Sequence, residues 1–277
     1  MNLHEKSVNK AIKYIEENLT EELTLEEVSK EVAYSPYHFS RIFKQFTGEN
    51  ILSMIKRLRL AQSTRELLHK DSNITEVGLN VGYETSSSFN KAFKQTFQCS
   101  PSLYKKKIEE NLINYRKSLK NEPRIINIEK EITLIYTRSI GEYAESAFKS
   151  WDELINLSHK NSITFEDKKY FGLCFDDPTI TDYEKMRYEA CLTIQNINLP
   201  KNFDIKTIPK GKYVVLKHLG DYEELYDVWL QFYGWVLEKD LKLTNFPPFE
   251  EYLNNPKDVL EGNINSFETN LYLNLDS

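Results

Sequence analysis

The sequence predicts a multidomain protein with an all-α region over residues 1–120 and an α+β region over residues 123–277. Two observations support this division. Apolar residues recur at helical spacing up to about Leu119, whereas short segments of alternating pattern follow Asn121-Glu122-Pro123. Each region also repeats internally, and the repeat of the second region is longer than that of the first.

The first region is predicted to contain seven helices. Apolar periodicity and capping signals give their bounds as Glu5–Asn18, Leu25–Val32, Pro36–Thr47, Ile51–Leu68, Ile74–Val81, Ser86–Phe97 and Pro101–Leu119. The fourth helix lies between the two copies of the repeat. We expect it to have an apolar buried face and a basic face that carries Lys56, Arg57, Arg59 and Arg65.

The repeat in the first region consists of two units that each have the pattern helix, tight turn, helix. Val28 of the first unit recurs as Val77 of the second, and Phe39 recurs as Phe89 with one residue inserted between the two matches. Gly82 marks the turn of the second unit. An α-solenoid generally needs three or more repeats, so two copies favour a pair of helix-turn-helix units.

Two segments of this region resemble the AraC/XylS family of transcription regulators, SPYHFSRIFKQFTG and ITEVGLNVGYETSSSFNKAFKQTFQCSPSLY. The resemblance covers roughly residues 1–107 and implies two helix-turn-helix units joined by a long helix. It also implies that the partners are double-stranded DNA, contacted at two adjacent major-groove segments, and RNA polymerase. Cys99 stands where this family usually has Gly, which affects only the turn before Pro101.

The second helix of each unit is expected to enter the major groove, where base edges present distinct patterns of donors and acceptors. The phenylalanines of both helices point to the core, which leaves outward positions at Tyr37, His38, Ser40, Arg41, Lys44, Gln45, Ser86, Ser87, Ser88, Asn90, Lys91 and Lys94. The resemblance implies base contacts by Tyr37, Ser40, Arg41, Ser86, Ser87, Asn90 and Lys91. Arg41 suits guanine and Asn90 suits adenine. We expect His38 to lie in solvent or to touch phosphate, and not to act in catalysis.

Charge differs between the two regions. Residues 1–120 contain 19 Lys and Arg against 15 Asp and Glu, a net charge of +4. Residues 121–277 contain 17 against 27, a net charge of −10. A basic region can approach phosphates, while an acidic one is repelled by them. The second region is therefore expected to have a different task.

Neither metal chemistry nor a membrane location is indicated. Cys99, Cys174 and Cys191 have no metal-ligand spacing, and the histidines are isolated in the sequence. The N-terminus has no apolar core of signal-peptide length, and no apolar run approaches the roughly 18 residues of a membrane span. We therefore expect a cytoplasmic protein that has no cofactor and no membrane partner and is not an enzyme.

The second region is predicted to form two pseudo-symmetric halves, each with the pattern strand, helix, strand, strand. The strand patterns are RIINIEKEITLIYTRSIG, YFGLCFDD, RYEACLTI, GKYVVLKHLG and TNLYLNL, and helices are expected around Glu145–Asn156 and Tyr222–Lys239. Ile140-Gly141-Glu142-Tyr143 in the first half recurs as Leu219-Gly220-Asp221-Tyr222 in the second. Two such halves would leave a cleft between their helices and the sheet, a common place for a small-molecule pocket.

Three segments of the second region resemble the GyrI-like effector-binding domain, namely KHLGDYEELYDVWLQFYGWVLEK, PPFEEYLNNP and ETNLYLNL. The resemblance covers about residues 123–277 and implies an aromatic pocket with a central acidic residue, which Glu250 matches. In a strand, Glu250 and Tyr252 share one face while Glu251 points to the other. The further pocket candidates, some of which must be core, are Tyr143, Trp151, Tyr222, Trp229, Tyr233 and Trp235.

A carboxylate among aromatic rings suits a small lipophilic, aromatic or cationic effector. The leading interpretation is a ligand-responsive transcription regulator. Two alternatives stay open at this point. The second region is either a hydrolase of small electrophiles with Glu250 as acid and base and a tyrosine assisting, or a module that binds only a protein partner and has no pocket. For Glu250 itself, the alternative to a pocket residue is a solvated carboxylate at a strand edge.

Overall fold

The chain forms two compact units in a computed structural model that describes residues 3–69, 71–178, 181–194, 203–262 and 266–276. The first unit comprises Met1–Ile108 and Asp176–Lys185, and the second comprises Glu109–Phe175 and Met186–Ser277. Within the described residues, no helix is long and apolar enough to cross a membrane.

The first unit is built from helices whose bounds agree closely with the predicted ones. They are α1 (Leu3–Glu17), α2 (Leu25–Glu31), α3 (Pro36–Thr47), α4 (Ile51–Leu67), α5 (Ile74–Asn80), α6 (Ser86–Phe97) and the first half of α7 (Pro101–Arg116). Thr24 and Glu27 form the capping box that starts α2, and the hydroxyl of Thr85 accepts from the Ser88 amide at the start of α6. Gly82 has a φ of 88° at the turn before α6.

The two helix-turn-helix units have matching cores. Phe39 and Phe43 of α3 are fully buried, and so are Phe89 and Phe93 of α6. The ring centroids within each pair lie 5.9 Å and 5.5 Å apart. These aromatic pairs fix the rotation of α3 and α6 about their axes, because turning either helix would expose two large rings.

Helix α4 does not have the expected arrangement of one buried face and one basic face. Buried residues lie all around it, because α3 and α5 pack on different sides, whereas Leu52 is 57% exposed. Arg59 donates to backbone carbonyls in the turn after α1. Arg57 forms ion pairs with the buried Glu49 and Asp176. The basic face was a wrong inference, since a guanidinium carries several donors that satisfy groups inside the unit.

The second unit is an eight-stranded antiparallel sheet that carries two long helices. Its elements are β1 (Arg124–Ile128), β2 (Ile132–Ile140), α8 (Tyr143–Lys160), β3 (Tyr170–Cys174), β4 (Arg187–Thr193), β5 (Asp204–Ile208), β6 (Gly211–Leu219), α9 (Leu225–Glu238), β7 (Phe249–Tyr252), α10 (Pro256–Leu260) and β8 (Glu268–Asn274). The second half of α7 also belongs to this unit. Arg116 of α7 forms an ion pair with Glu238, with Nε 3.0 Å from Oε2, and the Leu112 carbonyl of α7 lies over Gly234, where a side chain would not fit.

The sheet confirms the predicted pseudo-symmetry. Its strand order is β1-β6-β8-β7-β3-β4-β2-β5, so each half contributes a helix and strands in the same sequence about an axis between β7 and β3. The ion pair of Arg138 with Glu189 recurs at the equivalent positions of the second half as that of Lys217 with Glu268. The apolar residues of α8 and α9 pack on one face of the sheet, and the other face has a core of its own.

Two strands differ from the prediction. The predicted strand over residues 124–141 is divided into β1 and β2, and β5 was not predicted. These two additional strands are exchanged between the halves, since β1 pairs with β6 and β5 pairs with β2. A strand that pairs with the opposite half leaves only a short local pattern in the sequence.

Candidate DNA-binding surface and ligand site

The outer face of α3 carries the polar side chains that the sequence indicated. Tyr37 is 77% exposed, and Arg41 is also exposed. His38, Lys44 and Gln45 are exposed as well, and Ser40 is half-buried. The face is therefore free of core packing and available to a partner.

His38 is less isolated than the sequence suggested. Its ring stacks on that of Tyr34 with a centroid distance of 5.7 Å, and the ring of His4 lies 6.3 Å away. His4 Nδ1 is 3.1 Å from the Tyr34 hydroxyl. Through this cluster, His4 of α1 contacts His38 near the start of α3.

The outer face of α6 is also polar, but several of its side chains are shorter than those of α3. Ser87, Lys91 and Lys94 are exposed, while Ser86 and Asn90 are half-buried. The Asn90 amide nitrogen donates to the Ser86 carbonyl at 2.7 Å and lies 3.2 Å from its hydroxyl. Asn90 must therefore turn, or use its second hydrogen, to pair with adenine. None of these residues is buried, so the predicted contacts remain accessible.

One contact to this face was missed from the sequence. Lys56 of α4 is exposed, and its ammonium donates to the side chain of Gln95 in α6 at 3.3 Å. The lysine therefore adds a positive charge next to α6. The sequence placed Lys56 on a general basic face of α4, and no local pattern indicated that it lies beside α6.

The candidate ligand site is built around Glu250 in β7. Its side chain points to the face that carries α8 and α9, and the residue is only 5% exposed. Trp229 of α9 donates its indole N–H to Oε1 at 2.9 Å, and Tyr252 donates its hydroxyl to Oε2 at 2.5 Å. The ring of Tyr222 lies 5.5 Å from that of Tyr252. The carboxylate is thus enclosed by three aromatic side chains.

The other predicted residues lie further along the same face. Trp151 of α8 is buried, and its ring centroid lies 5.9 Å from that of Tyr252. The ring centroid of Tyr143 lies 6.5 Å from that of Tyr188. The ring centroid of Tyr233 lies 5.9 Å from that of Trp229. Trp235 is separate, because it is buried in α9 and donates to Glu122 at 2.8 Å. The inclusion of Trp235 among the pocket candidates was wrong, as its indole serves the packing of α9.

Two residues of this site were not predicted. The Tyr188 hydroxyl in β4 lies 3.0 Å from that of Tyr252 and accepts from the Trp151 indole at 2.9 Å. Gly172 in β3 is the cross-strand partner of Glu250, and a Cβ there would lie 2.5 Å from both tyrosine hydroxyls. The internal repeat was the available sequence signal, because Tyr188 is equivalent to Phe267 and Gly172 is equivalent to Glu250.

The two neighbouring carboxyls of β7 have opposite electrostatic environments. Burial raises the pKa of Glu250, and the bonds from Tyr252 and Trp229 together with the electrostatic effect of His218 offset this only in part. Burial also acts on Glu251, but Lys169, Tyr272 and Asn270 hold the pKa of that carboxyl below its usual value. Within the described residues, no lysine or arginine forms an ion pair with Glu250. It is the carboxyl of β7 that lacks a fixed cation.

These features define a class of protein, one that joins an AraC-type helix-turn-helix domain to an α+β domain of the kind that binds small molecules. The chain belongs to the GyrI-like family, because residues 121–276, more than half of its length, match the family described as "GyrI-like small molecule binding domain". Residues 28–107 match the family described as "Helix-turn-helix domain".

Two relatives each match part of the chain. The chain is 36% identical over 108 residues to the regulatory protein PocR of Salmonella typhimurium, which covers 39% of this chain and 36% of PocR. It is 28% identical over 152 residues to the right origin-binding protein of Escherichia coli strain K12, which covers 55% of this chain and 52% of that protein. The chain thus spans only about a third to a half of these relatives.

One solved structure resembles most of the chain. The EcmrR–DNA complex, determined by cryo-EM in an assembly named EcmrR-RPo, has a TM-score of 0.49 and 16% sequence identity to this chain. The similarity covers 90% of this chain and 84% of EcmrR.

Proposed function

We propose that the chain is a sequence-specific DNA-binding transcription regulator whose activity is modulated by a small lipophilic cation. We assign DNA binding to residues 1–120 and effector binding to residues 123–277. RNA polymerase is the protein partner that we propose, because a DNA-bound regulator acts on transcription by contacting or excluding that enzyme. The observation that supports the proposal best is a pair of helices, α3 and α6, whose aromatic sides are buried and whose polar sides are exposed.

The DNA-binding part of the proposal rests on the shape and chemistry of these two helices. An α-helix fits the major groove, where a guanidinium can pair with the two acceptors of guanine. Arg41 is exposed on α3, and Lys91 and Lys94 are exposed on α6. Lysines of this kind bind phosphates and position a helix, while the arginine reads a base.

The effector part of the proposal rests on Glu250. Its carboxylate is buried and has neutral hydrogen-bond donors but no fixed cation among the described residues. An organic cation supplies the missing charge, and the rings of Trp229, Tyr222 and Tyr252 attract it through their π faces. A neutral ligand gains only the contact with the rings.

Hydrolysis is the alternative chemistry for the same carboxyl. Each oxygen of Glu250 already accepts a hydrogen bond from a fixed donor, Trp229 or Tyr252. An acid–base catalyst would need one oxygen directed at a water molecule and the substrate. Recovery of a bound electrophile unchanged after long incubation distinguishes binding from hydrolysis.

The proposal is tested by selecting DNA from a random pool with the full-length protein, with and without the lipophilic cation N-methylquinolinium. We expect the wild type to enrich one family of sequences and the cation to change the fraction of that DNA retained. The Glu250→Gln variant should enrich the same family and show no response to the cation. Retention of random DNA without enrichment would contradict the proposal.

A further inference from the structure

A continuous chain of hydrogen bonds connects the two long helices of the second unit through Glu250. The Trp151 indole can only donate, so the Tyr188 oxygen accepts from it. Tyr252 uses its hydrogen on the ionised Glu250, so Tyr188 must donate to Tyr252. Every hydrogen in this relay therefore points toward one carboxylate. Trp229 approaches the same carboxylate from α9.

Gly172 makes room for the relay. Gly172 and Glu250 occupy equivalent positions of the internal repeat, and they face each other across the central strands β3 and β7. Full symmetry would place a second carboxylate opposite the first, where the two charges would repel. With glycine there instead, the hydroxyls of Tyr188 and Tyr252 occupy the space in which a side chain would lie.

We infer that Gly172 and Tyr188 are positioning residues of the Glu250 site. Gly172 admits the two phenol hydroxyls, and Tyr188 directs Tyr252 onto the single carboxylate, which is thereby kept ready for one positive charge per protein chain. This inference rests on the proposed binding of a cation at Glu250. It adds a specificity for ligands with a single charge, since the first half of the fold offers hydroxyls where the second half offers a carboxylate.

The relay should act on the protonation of Glu250. A hydroxyl whose oxygen accepts a hydrogen bond is polarised and donates its own hydrogen more strongly. The Tyr252 hydroxyl, which accepts from Tyr188, should therefore favour the ionised form of Glu250. The titratable groups near this site are Tyr252 on β7, Tyr188 on β4, Tyr222 before α9, His218 on β6 and Cys174 on β3. The phenols remain neutral over the ordinary pH range because burial raises the pKa of each.

The sign of the pH dependence follows from linkage. Burial raises the pKa of Glu250 above its ordinary value, so in acid the free protein holds a proton that a cation must displace. Affinity for a cation should therefore rise with pH through the pKa of Glu250 and level off above it, with a slope of about tenfold per pH unit below. Removing the polarising hydroxyl of Tyr188 should move that midpoint to higher pH.

The test compares Tyr188→Phe with wild type in the full-length protein, using the fluorescence of N-methylquinolinium over a pH range that includes the midpoint of the wild-type affinity profile. We expect the midpoint of the affinity profile to rise by about half to one pH unit, so that binding below it weakens by roughly threefold to tenfold. The neutral isostere methylnaphthalene should bind both proteins equally at every pH. The stoichiometry should be one cation per chain.

Tyr170→Phe is the matched control. Tyr170 is another buried tyrosine of the same face, but its hydroxyl donates to the Phe165 carbonyl and lies outside the relay. The Tyr170→Phe profile should match that of wild type. Glu250→Gln reports any pH dependence that comes from His218 or Cys174 and not from the carboxyl. If Tyr188→Phe fails to fold, Trp151→Phe removes the preceding donor and should shift the midpoint in the same direction.

The outcomes separate this inference from the proposed function. If wild type binds no cation, or Glu250→Gln binds it as well as wild type does, the proposed effector site is wrong. If wild type binds and Glu250→Gln does not, but Tyr188→Phe and Trp151→Phe keep the wild-type midpoint, then the relay does not position the carboxylate and only this inference is overturned.

Discussion

Replacing Glu250 by Gln should weaken the binding of N-methylquinolinium by tens-fold or more, while binding of the neutral methylnaphthalene stays within a few-fold. The two compounds have nearly the same shape, so their difference isolates the charge. Glu250 is buried and has no fixed cation among the described residues, so an ionised carboxylate there is poorly solvated until a ligand neutralises it. Loss of one partner of such a pair typically costs about 2–5 kcal/mol.

Glu251→Gln is the control for that result. Glu251 is buried as well and lies next to Glu250 in β7, but it faces the opposite side and is bonded to Lys169, Asn270 and Tyr272. We expect this variant to bind both compounds as wild type does once its folding has been verified. Fluorescence titration measures all four affinities. Equal losses for the charged and the neutral compound in Glu250→Gln would remove this carboxylate from the site.

Replacing Arg41 by Ala should cost about 1–3 kcal/mol of binding to the selected DNA and relax the preference at one base position. Arg41 is exposed on the outer face of α3, and that face is held in a fixed orientation by Phe39 and Phe43 in the core. A guanidinium held in this way can form two hydrogen bonds to guanine, and alanine forms none. Competition binding against fragments mutated at single positions measures the effect.

Lys94→Ala on α6 is the matched comparison. An exposed lysine that touches phosphate carries no sequence information. Its loss should weaken binding to all sequences alike and reduce the slope of log affinity against log salt concentration by about one. If Arg41→Ala lowered the affinity for selected and random DNA equally, Arg41 would be a phosphate contact and not a base reader.

The first unit was largely predictable from sequence because its signals are local. Helix bounds follow from apolar spacing and from caps such as Thr24 with Glu27, and both kinds of signal lie within a few residues of each other. Helix α4 was the exception. Arg57 forms an ion pair with Asp176, which is far from it in the sequence, and no local pattern indicates such a partner.

The second unit was predictable in outline but not in its central details. Repeated motifs predicted the two halves, because these motifs survive as matching residues at a nearly constant spacing, whereas Glu250 followed from the resemblance to the GyrI-like domain. The exchange of β1 and β5 between the halves depends on pairing between distant segments. The roles of Gly172 and Tyr188 follow only from the pairing of the strands. Glycine contributes by the absence of a side chain, and this leaves space for the Tyr188 hydroxyl.

The most direct test is a dimethyl sulfate footprint of the full-length protein on the selected DNA, because this reagent methylates guanine N7, an atom of the major groove. Helices α3 and α6 are separate readers on one chain, so the account predicts two protected major-groove segments about one helical turn, roughly 10 base pairs, apart. Arg41→Ala should weaken protection in one segment, and Lys94→Ala should weaken protection in the other. A footprint with a single protected segment, or one unaffected by either variant, would contradict the assignment of these helices as the DNA-binding surface.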